Sequence, residues 1–310
     1  MVRSCALAPL TGSAKAQLRA FFIPQCCCVM TNHQISVCTL YSRRSSHLQN
    51  LVEGLIESKM HPLELVIICM NDSLPKLPST PFQINSSVIN SPHKLPLAQA
   101  RTKASSIANG DFLIFLDVDC IPHPDLVETF AYHLENEDAL YQGSIRYLNS
   151  QWRKQWNFET LHFDSAPNRL QGEELTGNQR KIHKYEFFWS LCFGIRKSTF
   201  SKIGGFDTRF TGYGGEDTDF SFTARLHKIP FYKISALAYH QFHPSYSPPL
   251  NHLADIVENA KVFDNKWNFL PMDKWLKQFA ELGYIKLENN HIEIIKLPSE
   301  EEIEVFRKNN

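Results

Sequence analysis

Apolar residues fall into short runs separated by turn-forming stretches, and from Gln34 onward these runs alternate between two periods. Ile35–Leu40, Leu63–Met70 (LELVIICM) and Phe112–Leu116 (FLIFL) are continuous and short, as buried strands are. Between the first two, Ser45–Lys59 places Leu48, Leu51, Val52, Leu55 and Ile56 at helical spacing. A Pro/Ser-rich stretch follows the second run. Ser87–Asn90 then predicts a short third strand, and Leu97–Asn109 predicts a helix with Gly110 as its C-cap. This alternation predicts an α/β fold, a mostly parallel sheet with helices on both faces. Such sheets bind ligands outside the carboxyl ends of their strands. Here three strand ends carry polar groups: Thr39, Asp72 and Asp117.

The rhythm changes beyond about residue 140. Residues 151–184 are polar and irregular, which predicts a long functional loop or a small insert, whereas 185–245 are dense in glycine and acidic motifs. Further on, Leu253–Trp267 and Met272–Leu282 predict amphipathic helices, and GYIKLENNHIEIIKL predicts a hairpin around Glu288–Asn290. The expected organisation is therefore a disordered extension over 1–29, an α/β domain over 30–245, and a small α+β extension over 246–310 packed on it. Residues 1–29 lack a periodic apolar face. Met30, just before the first strand, reads as the natural start, so the leading segment is expected to be dispensable.

Composition narrows the classes. Lys+Arg 32 balances Asp+Glu 32, which argues against a generally basic nucleic-acid binder. At 43% hydrophobic and 21% charged the chain is not a disordered one. No apolar run approaches the roughly 18 residues of a membrane span, so no integral membrane segment is expected. The eight cysteines form no CxxC pair; Cys38, Cys69 and Cys120 read as small core hydrophobes, and reduced thiols fit a cytoplasmic protein. No GxGxxG follows the first strand and no P-loop sequence occurs, so neither dinucleotide nor P-loop phosphate binding is indicated.

Three motifs carry chemistry. Asp117-Val118-Asp119 follows FLIFL directly. In an extended segment residues i and i+2 share a face, so these carboxylates would offer hard oxygen ligands to Mn²⁺ or Mg²⁺. A solvated surface turn is the plainer reading, but the apolar strand before it and Cys120-Ile121-Pro122 after it count against that. Gly212-Tyr213-Gly214-Gly215-Glu216-Asp217-Thr218-Asp219-Phe220, preceded by Gly204-Gly205-Phe206-Asp207, is a glycine loop opening a helix. The helix dipole would account for one acid at that start, but not for Glu216, Asp217 and Asp219 together. Tyr239-His240-Gln241-Phe242-His243 sets two imidazoles at a strand end. One histidine beside oxygen ligands suits Mn²⁺ better than two.

Thr39, Asp72, the Ala100-Arg101 helix, FLIFLDVDCIP, GGFD, GYGGEDTDF and AYHQ occur in an order that resembles family 2 glycosyltransferases of the GT-A fold, over about residues 34–245. The Gly-Gly-Glu-Asp block is similar to that of the β-1,4-galactosyltransferases and the bacterial chondroitin-polymerase type. The resemblance implies an inverting, metal-dependent enzyme that moves Gal, GalNAc, GlcNAc or GlcA from a UDP-sugar to a glycan or glycoconjugate acceptor. It implies that Asp119 is the main metal ligand, with His240 completing the shell and His243 as the alternative. Asp117 would sit near the ribose, and Thr39, Tyr41, Arg44, Asp72 and Arg101 would line the uridine and diphosphate pocket. Thr102 follows Arg101 where the common family pattern has Asn. Asp217 matches the family's base and Glu216 its acceptor contact. Departing UDP develops negative charge that a divalent ion stabilises, and the attacking hydroxyl needs a carboxylate to take its proton. Trp189 and Tyr213 offer flat faces on which sugars stack, or else are core.

Two rival readings remain at this level. A sugar nucleotidyltransferase would use a metal and a nucleotide, but Leu40-Tyr41-Ser42-Arg43-Arg44 lacks the glycines of its usual first loop. A non-catalytic nucleotide-sugar-binding protein would not need Asp117, Asp119, Glu216, Asp217 and His240 together.

Overall fold

Strands that are apolar on both faces need cover on both faces, and the helices supply it. The computed structural model describes residues 34–308, except 94, 168–174 and 176. The expectation for residues 1–29 lies outside them. In chain order the elements begin with β1 (Ile35–Tyr41), α1 (Ser45–Ile56), β2 (Glu64–Met70), β3 (Gln83–Ile89), α2 (Leu97–Ile107), β4 (Phe112–Leu116), β5 (Cys120–Pro122), α3 (Leu126–Asn136) and β6 (Leu140–Leu148). There follow α4 (Phe158–Phe163), β7 (Ser165–Pro167), β8 (Gln179–Lys181), β9 (Cys192–Arg196), α5 (Lys197–Lys202), α6 (Glu216–Leu226) and β10 (Phe231–His240). The last are β11 (Ser245–Tyr246), α7 (Leu253–Trp267), α8 (Asp273–Glu281), β12 (Ile285–Glu288), β13 (His291–Ile294), α9 (Glu300–Glu304) and β14 (Arg307–Lys308).

The large sheet runs β3-β2-β1-β4-β9-β6-β10-β5. β1 to β4 are mutually parallel, with Thr39 beside Ile67 and Ile35 beside Phe112. β9 lies antiparallel between β4 and β6, and β10 is parallel to β6. β10 therefore points the same way as β4, and its last residue, His240, reaches the sheet edge where Asp117 follows β4. Alternate residues of β1 feed two cores. Ile35 and Val37 pack with Leu48 and Leu51 of α1 and Phe130 of α3. Cys38 and Leu40 pack with Ala100 of α2, Phe220 of α6 and Phe263 of α7. A third core joins α7, α8 and the β12–β13 hairpin, through Ile256, Leu276, Phe279 and Ile292. The described residues form one compact unit. No described helix is long and apolar enough to cross a membrane.

Several boundaries differ from expectation. α1 stops at Ile56 rather than Lys59, because the Ser58 N–H tightens onto the Leu55 carbonyl at 3.2 Å. β3 starts at Gln83, before Ser87; it is an edge strand, half-exposed, and its polar positions disguise it. α2 ends at Ile107 with Ala108 extended, and Gly110 is not its C-cap. The glycine is needed for close approach, since a Cβ there would stand 2.5 Å from the Gln34 carbonyl oxygen. α3, β6 and β9 have no counterpart in the expected order. Within 151–184 the described residues hold α4, β7 and β8, with Trp152 and Trp156 packed against Ile121, Leu148, Leu161 and Tyr239, rather than an irregular loop. The hairpin turns where expected: Asn289 and Asn290 take positive φ of 47° and 64°, and Glu288 pairs with His291.

Candidate active site

β4 delivers the chain to the sheet edge and the chain turns there. The Cys120 N–H donates to the Asp117 carbonyl at 2.9 Å, so Asp117–Cys120 is a tight turn, not the extended segment expected. The turn aims the two carboxylates at different partners. Asp119 is buried and accepts a hydrogen bond from the Arg44 guanidinium, just after β1. It also faces His240 Nε2, 3.5 Å from Oδ1, and His243 Nε2, 3.3 Å from Oδ2. Asp117 faces Arg101 of α2, whose Nη2 lies 3.4 Å from Oδ1.

Asp119, His240 and His243 present one oxygen and two nitrogens within 4.8 Å of one another. One carboxylate with two imidazoles can hold a divalent transition-metal cation, and Mn²⁺, which prefers oxygen, would take its remaining ligands as oxygens. Both histidines fall within reach, where one was expected. His243 Nδ1 lies 3.0 Å from the Pro244 carbonyl. A carbonyl can only accept, so Nδ1 carries a proton and Nε2 is the ring nitrogen turned to Asp119. Tyr147 stacks on the His240 ring at 4.7 Å. Burial lowers the His240 imidazole against the pull of Asp119. Burial alone would raise the Asp119 carboxyl, but His240, His243 and Arg44 outweigh it and hold the group well below the usual carboxylate range.

Gln241, which sequence reasoning did not single out, ties this cluster down. It is buried, and its N–H donates to the Asp119 carbonyl at 2.6 Å. Its side chain donates to the His47 carbonyl at 3.1 Å and accepts from Asn50 at 2.7 Å, and Asn50 in turn accepts from Trp156 Nε1 at 3.2 Å. It stands directly after β10, within the Tyr239-His240-Gln241-Phe242-His243 motif.

The glycine loop builds the other half. Gly215 caps α6 with φ 85°, and Glu216 and Asp217 occupy the first turn. Glu216 is buried. Its Oε1 accepts from buried Arg101 at 3.1 Å and its Oε2 from the Gly214 N–H at 3.0 Å. Arg101 thus clamps Asp117 to Glu216, joining β4, α2 and α6. The Asp217 carboxylate accepts from the Thr218 N–H at 2.7 Å. Burial, then the neighbouring Glu216 charge, lifts Asp217 to about 7 despite Arg101. Burial likewise pushes Asp117 up to about 6, with Arg101 opposing.

These groups share one cavity of about 610 Å³. Arg44, Arg101, Asp117, Asp119, Trp189, Tyr213, Glu216, Asp217, His240 and His243 all line it. Thr39, Tyr41 and Asp72 are not among the lining residues. Thr39 is fully buried in β1, and its hydroxyl has no hydrogen-bond partner. Tyr41 is buried in the core on the α1 side. Asp72 accepts from the Arg43 N–H at 2.7 Å and the Ser73 N–H at 2.8 Å, which fastens the turn after β1 to the end of β2. Unanticipated lining comes from Ser42, Leu95, Leu97, Tyr147, Met272 and Trp275.

Comparison with known proteins now bears on this site. The profile of glycosyl transferase family 2 matches residues 36–204, more than half of the chain. That of the N-terminal domain of galactosyltransferase matches residues 177–243. A glucosyl-dolichyl phosphate glucuronosyltransferase of Haloferax volcanii is 24% identical over 187 residues, covering 59% of this chain and 58% of that protein. A hyaluronan synthase of Pasteurella multocida is 28% identical over 169 residues, covering 47% of this chain and 17% of the synthase. This chain thus spans less than two thirds of the length of either. Among solved structures, GalNAc-T7 with UDP, GalNAc and Mn²⁺ superposes with a TM-score of 0.53 at 15% identity, over 80% of this chain and 57% of that one. The 1–349 portion of S. aureus TarS gives 0.50 at 13% identity, over 75% and 66%. Both carry the same fold.

Proposed function

The chain belongs to glycosyltransferase family 2, and from that premise we propose that it is an inverting, metal-dependent transferase that moves Gal, GalNAc, GlcNAc or GlcA from a UDP-sugar to a hydroxyl of a glycan or glycoconjugate. The observation that carries this reading is the sharing of one cavity by the Asp119–His240–His243 group and Asp217. A cation site and a carboxylate that ionises near neutrality are the two parts that displacement of a diphosphate by an alcohol requires.

Asp119, His240 and His243 would hold Mn²⁺ or Mg²⁺, and the bound cation would supply Lewis-acid stabilisation of the charge on the leaving diphosphate. Arg44, already paired to Asp119, can turn its remaining donors to a phosphate oxygen. Arg101 sets Asp117 at the edge of the same region, where its carboxylate can accept from a ribose hydroxyl. Asp217 takes the proton of the attacking hydroxyl. Glu216 supports that step by fixing Arg101 and the Gly214 N–H, besides any contact it makes with the acceptor. Trp189 and Tyr213 wall the acceptor side. Thr39, Tyr41 and Asp72 shape the uridine end from behind the turn after β1. The four described cysteines, Cys38, Cys69, Cys120 and Cys192, are separate buried thiols, which supports a reducing compartment such as the cytoplasm.

The test is direct. UDP-Gal, UDP-GalNAc, UDP-GlcNAc and UDP-GlcA are each incubated with the protein and Mn²⁺, first with water alone as acceptor. Release of UDP from one of them, with inversion at the anomeric carbon, is the expected result. Pyrophosphate release from UTP plus a sugar phosphate would replace this reading by a nucleotidyltransferase. UDP-sugar binding without turnover across donors and acceptors would replace it by a binding protein.

A further inference from the structure

The cavity has a wall that comes from beyond both matched regions. α8 begins after Met272, and its core-facing residues are Leu276 and Phe279. Trp275 stands one residue before Leu276 and four before Phe279, so it sits at the flank of that core stripe, packed partly against the third core and partly lining the cavity. It is only half-buried, and it lines the cavity together with Met272 and Asp217. Its ring lies 6.3 Å from that of Tyr213 with 29° between planes, and Tyr213 in turn lies 4.4 Å from His252 at 21°. Three flat rings therefore stand roughly parallel beside the glycine loop.

The backbone holds this arrangement at a cost. Met272 takes φ 55°, a left-handed conformation unusual for a side chain of its size. Strain of this kind persists where surrounding structure over-determines it, and it gathers at functional sites. Here it starts α8 over the loop: the Trp275 N–H donates to the Met272 carbonyl at 2.9 Å, and Met272 Sδ lies 3.0 Å from where a Gly214 Cβ would stand. The region thus offers an apolar flat surface beside a carboxylate. A pyranose has that duality, with an apolar C–H face and a rim of hydroxyls. An alkyl chain lacks the rim, and a peptide hydroxyl lacks the flat face.

We propose that Trp275, with Tyr213, is the platform that binds the acceptor, that the acceptor is a pyranoside, and that Trp275 sets acceptor specificity. This rests on the transferase reading above. Trp275 positions the sugar; Asp217 remains the group that touches the reacting hydroxyl.

The test uses the full chain with UDP and Mn²⁺ present. Binding of methyl pyranosides of Gal, GalNAc, Glc, GlcNAc and GlcA is followed by saturation-transfer NMR, with N-acetylthreonine amide and n-octanol as non-sugar alcohols. UDP affinity and melting temperature are measured alongside. At least one pyranoside should bind in preference to both alcohols. Trp275→Ala should weaken it about tenfold or more, the scale of a lost aromatic stacking contact plus its buried area. Trp275→Phe should keep most of the affinity. UDP affinity should stay within about twofold in both variants, because none of the residues assigned to the donor lies on α8. The proposal is overturned by a pyranoside affinity unchanged in Trp275→Ala, by tighter binding of either alcohol than of any pyranoside, or by loss in Trp275→Phe equal to that in Trp275→Ala. It is overturned as well if no pyranoside binds a protein that still binds UDP. Failure of the wild-type protein to bind UDP at all would instead bring down the donor reading, and this proposal with it.

Discussion

Asp217 is held between opposing influences. The first turn of α6 and the Thr218 N–H at 2.7 Å favour its carboxylate, yet burial and Glu216 prevail and lift it to about 7. A base must be deprotonated to act, so kcat/KM should rise with pH through an ionisation near 7 and level off above it. Asp217→Asn should abolish that limb and lower kcat roughly 10²–10⁴-fold, with UDP affinity unchanged by calorimetry. Near-wild-type turnover would remove Asp217 from the chemistry. The same shift has a stability consequence of defined sign. The folded value lies above the ordinary aspartate value of 3.8, so the native state holds this proton more tightly. The contribution is fully present below the unfolded pKa and is lost as pH rises through about 7. Metal-free Asp217→Asn should therefore be more stable than wild type at pH ~8, and the difference should shrink steadily as pH falls through about 7 and vanish only below the unfolded carboxylate value. Glu216 behaves differently because both its oxygens are engaged. Glu216→Gln would set an amide N–H₂ against either Arg101 or the Gly214 N–H. It should cost about 1–3 kcal/mol in thermal or urea unfolding. A cost under about 0.5 kcal/mol together with a raised acceptor KM would make Glu216 chiefly an acceptor contact.

At the level of elements, the site depends on how α6 and α8 meet across the glycine loop. Gly214 has φ 100°, and a Cβ there would meet Met272 Sδ at 3.0 Å. Gly214→Ala should therefore destabilise by about 1–2 kcal/mol from backbone strain alone. It should also displace Met272 and the start of α8. The expected signature is a larger loss in acceptor binding than in UDP binding, read by titration of each ligand. Equal losses in both would mean that the loop supports the donor side as well.

Across the whole molecule the cores are interlocked. Phe263 of α7 belongs to the same cluster as Phe220 of α6 and Phe115 of β4, so the C-terminal helices share a core with the sheet. Residues 33–310 should then unfold in one transition, with tryptophan fluorescence and far-ultraviolet dichroism coincident in urea. Two separated transitions would show that α7 and α8 open independently. Metal dependence is likewise a property of the assembled site, because Asp119, His240 and His243 come from distant parts of the chain. EDTA should abolish turnover and Mn²⁺ should restore it. Asp119→Ala should lose UDP-dependent Mn²⁺ binding, measured by calorimetry, while its melting temperature shows a folded chain. Full activity in excess EDTA would end the metal assignment.

Local pattern was enough for the strands β1, β2 and β4, for the amphipathic helices α1 and α7, and for the Asn289-Asn290 turn, because continuous burial, helical periodicity and positive-φ turns each leave a signature in neighbouring residues. The order of acidic, glycine and histidine motifs likewise pointed to the cavity, since side chains at the ends of parallel strands converge wherever those strands are joined. Contacts between segments far apart in sequence left no such trace. The antiparallel insertion of β9 beside β4 depends on pairing across about 80 residues of chain. The turn that parts Asp117 from Asp119 depends on partners from three other elements, Arg44, Arg101 and the end of β10. The half-exposed edge strand β3 contradicts local preference, and the buried Gln241 just after β10 is satisfied only by tertiary neighbours. Trp275 is the clearest case. From its sequence it is one apolar residue on an amphipathic helix, and only the seating of Met272 over Gly214 and of α8 on the third core places it on the cavity wall.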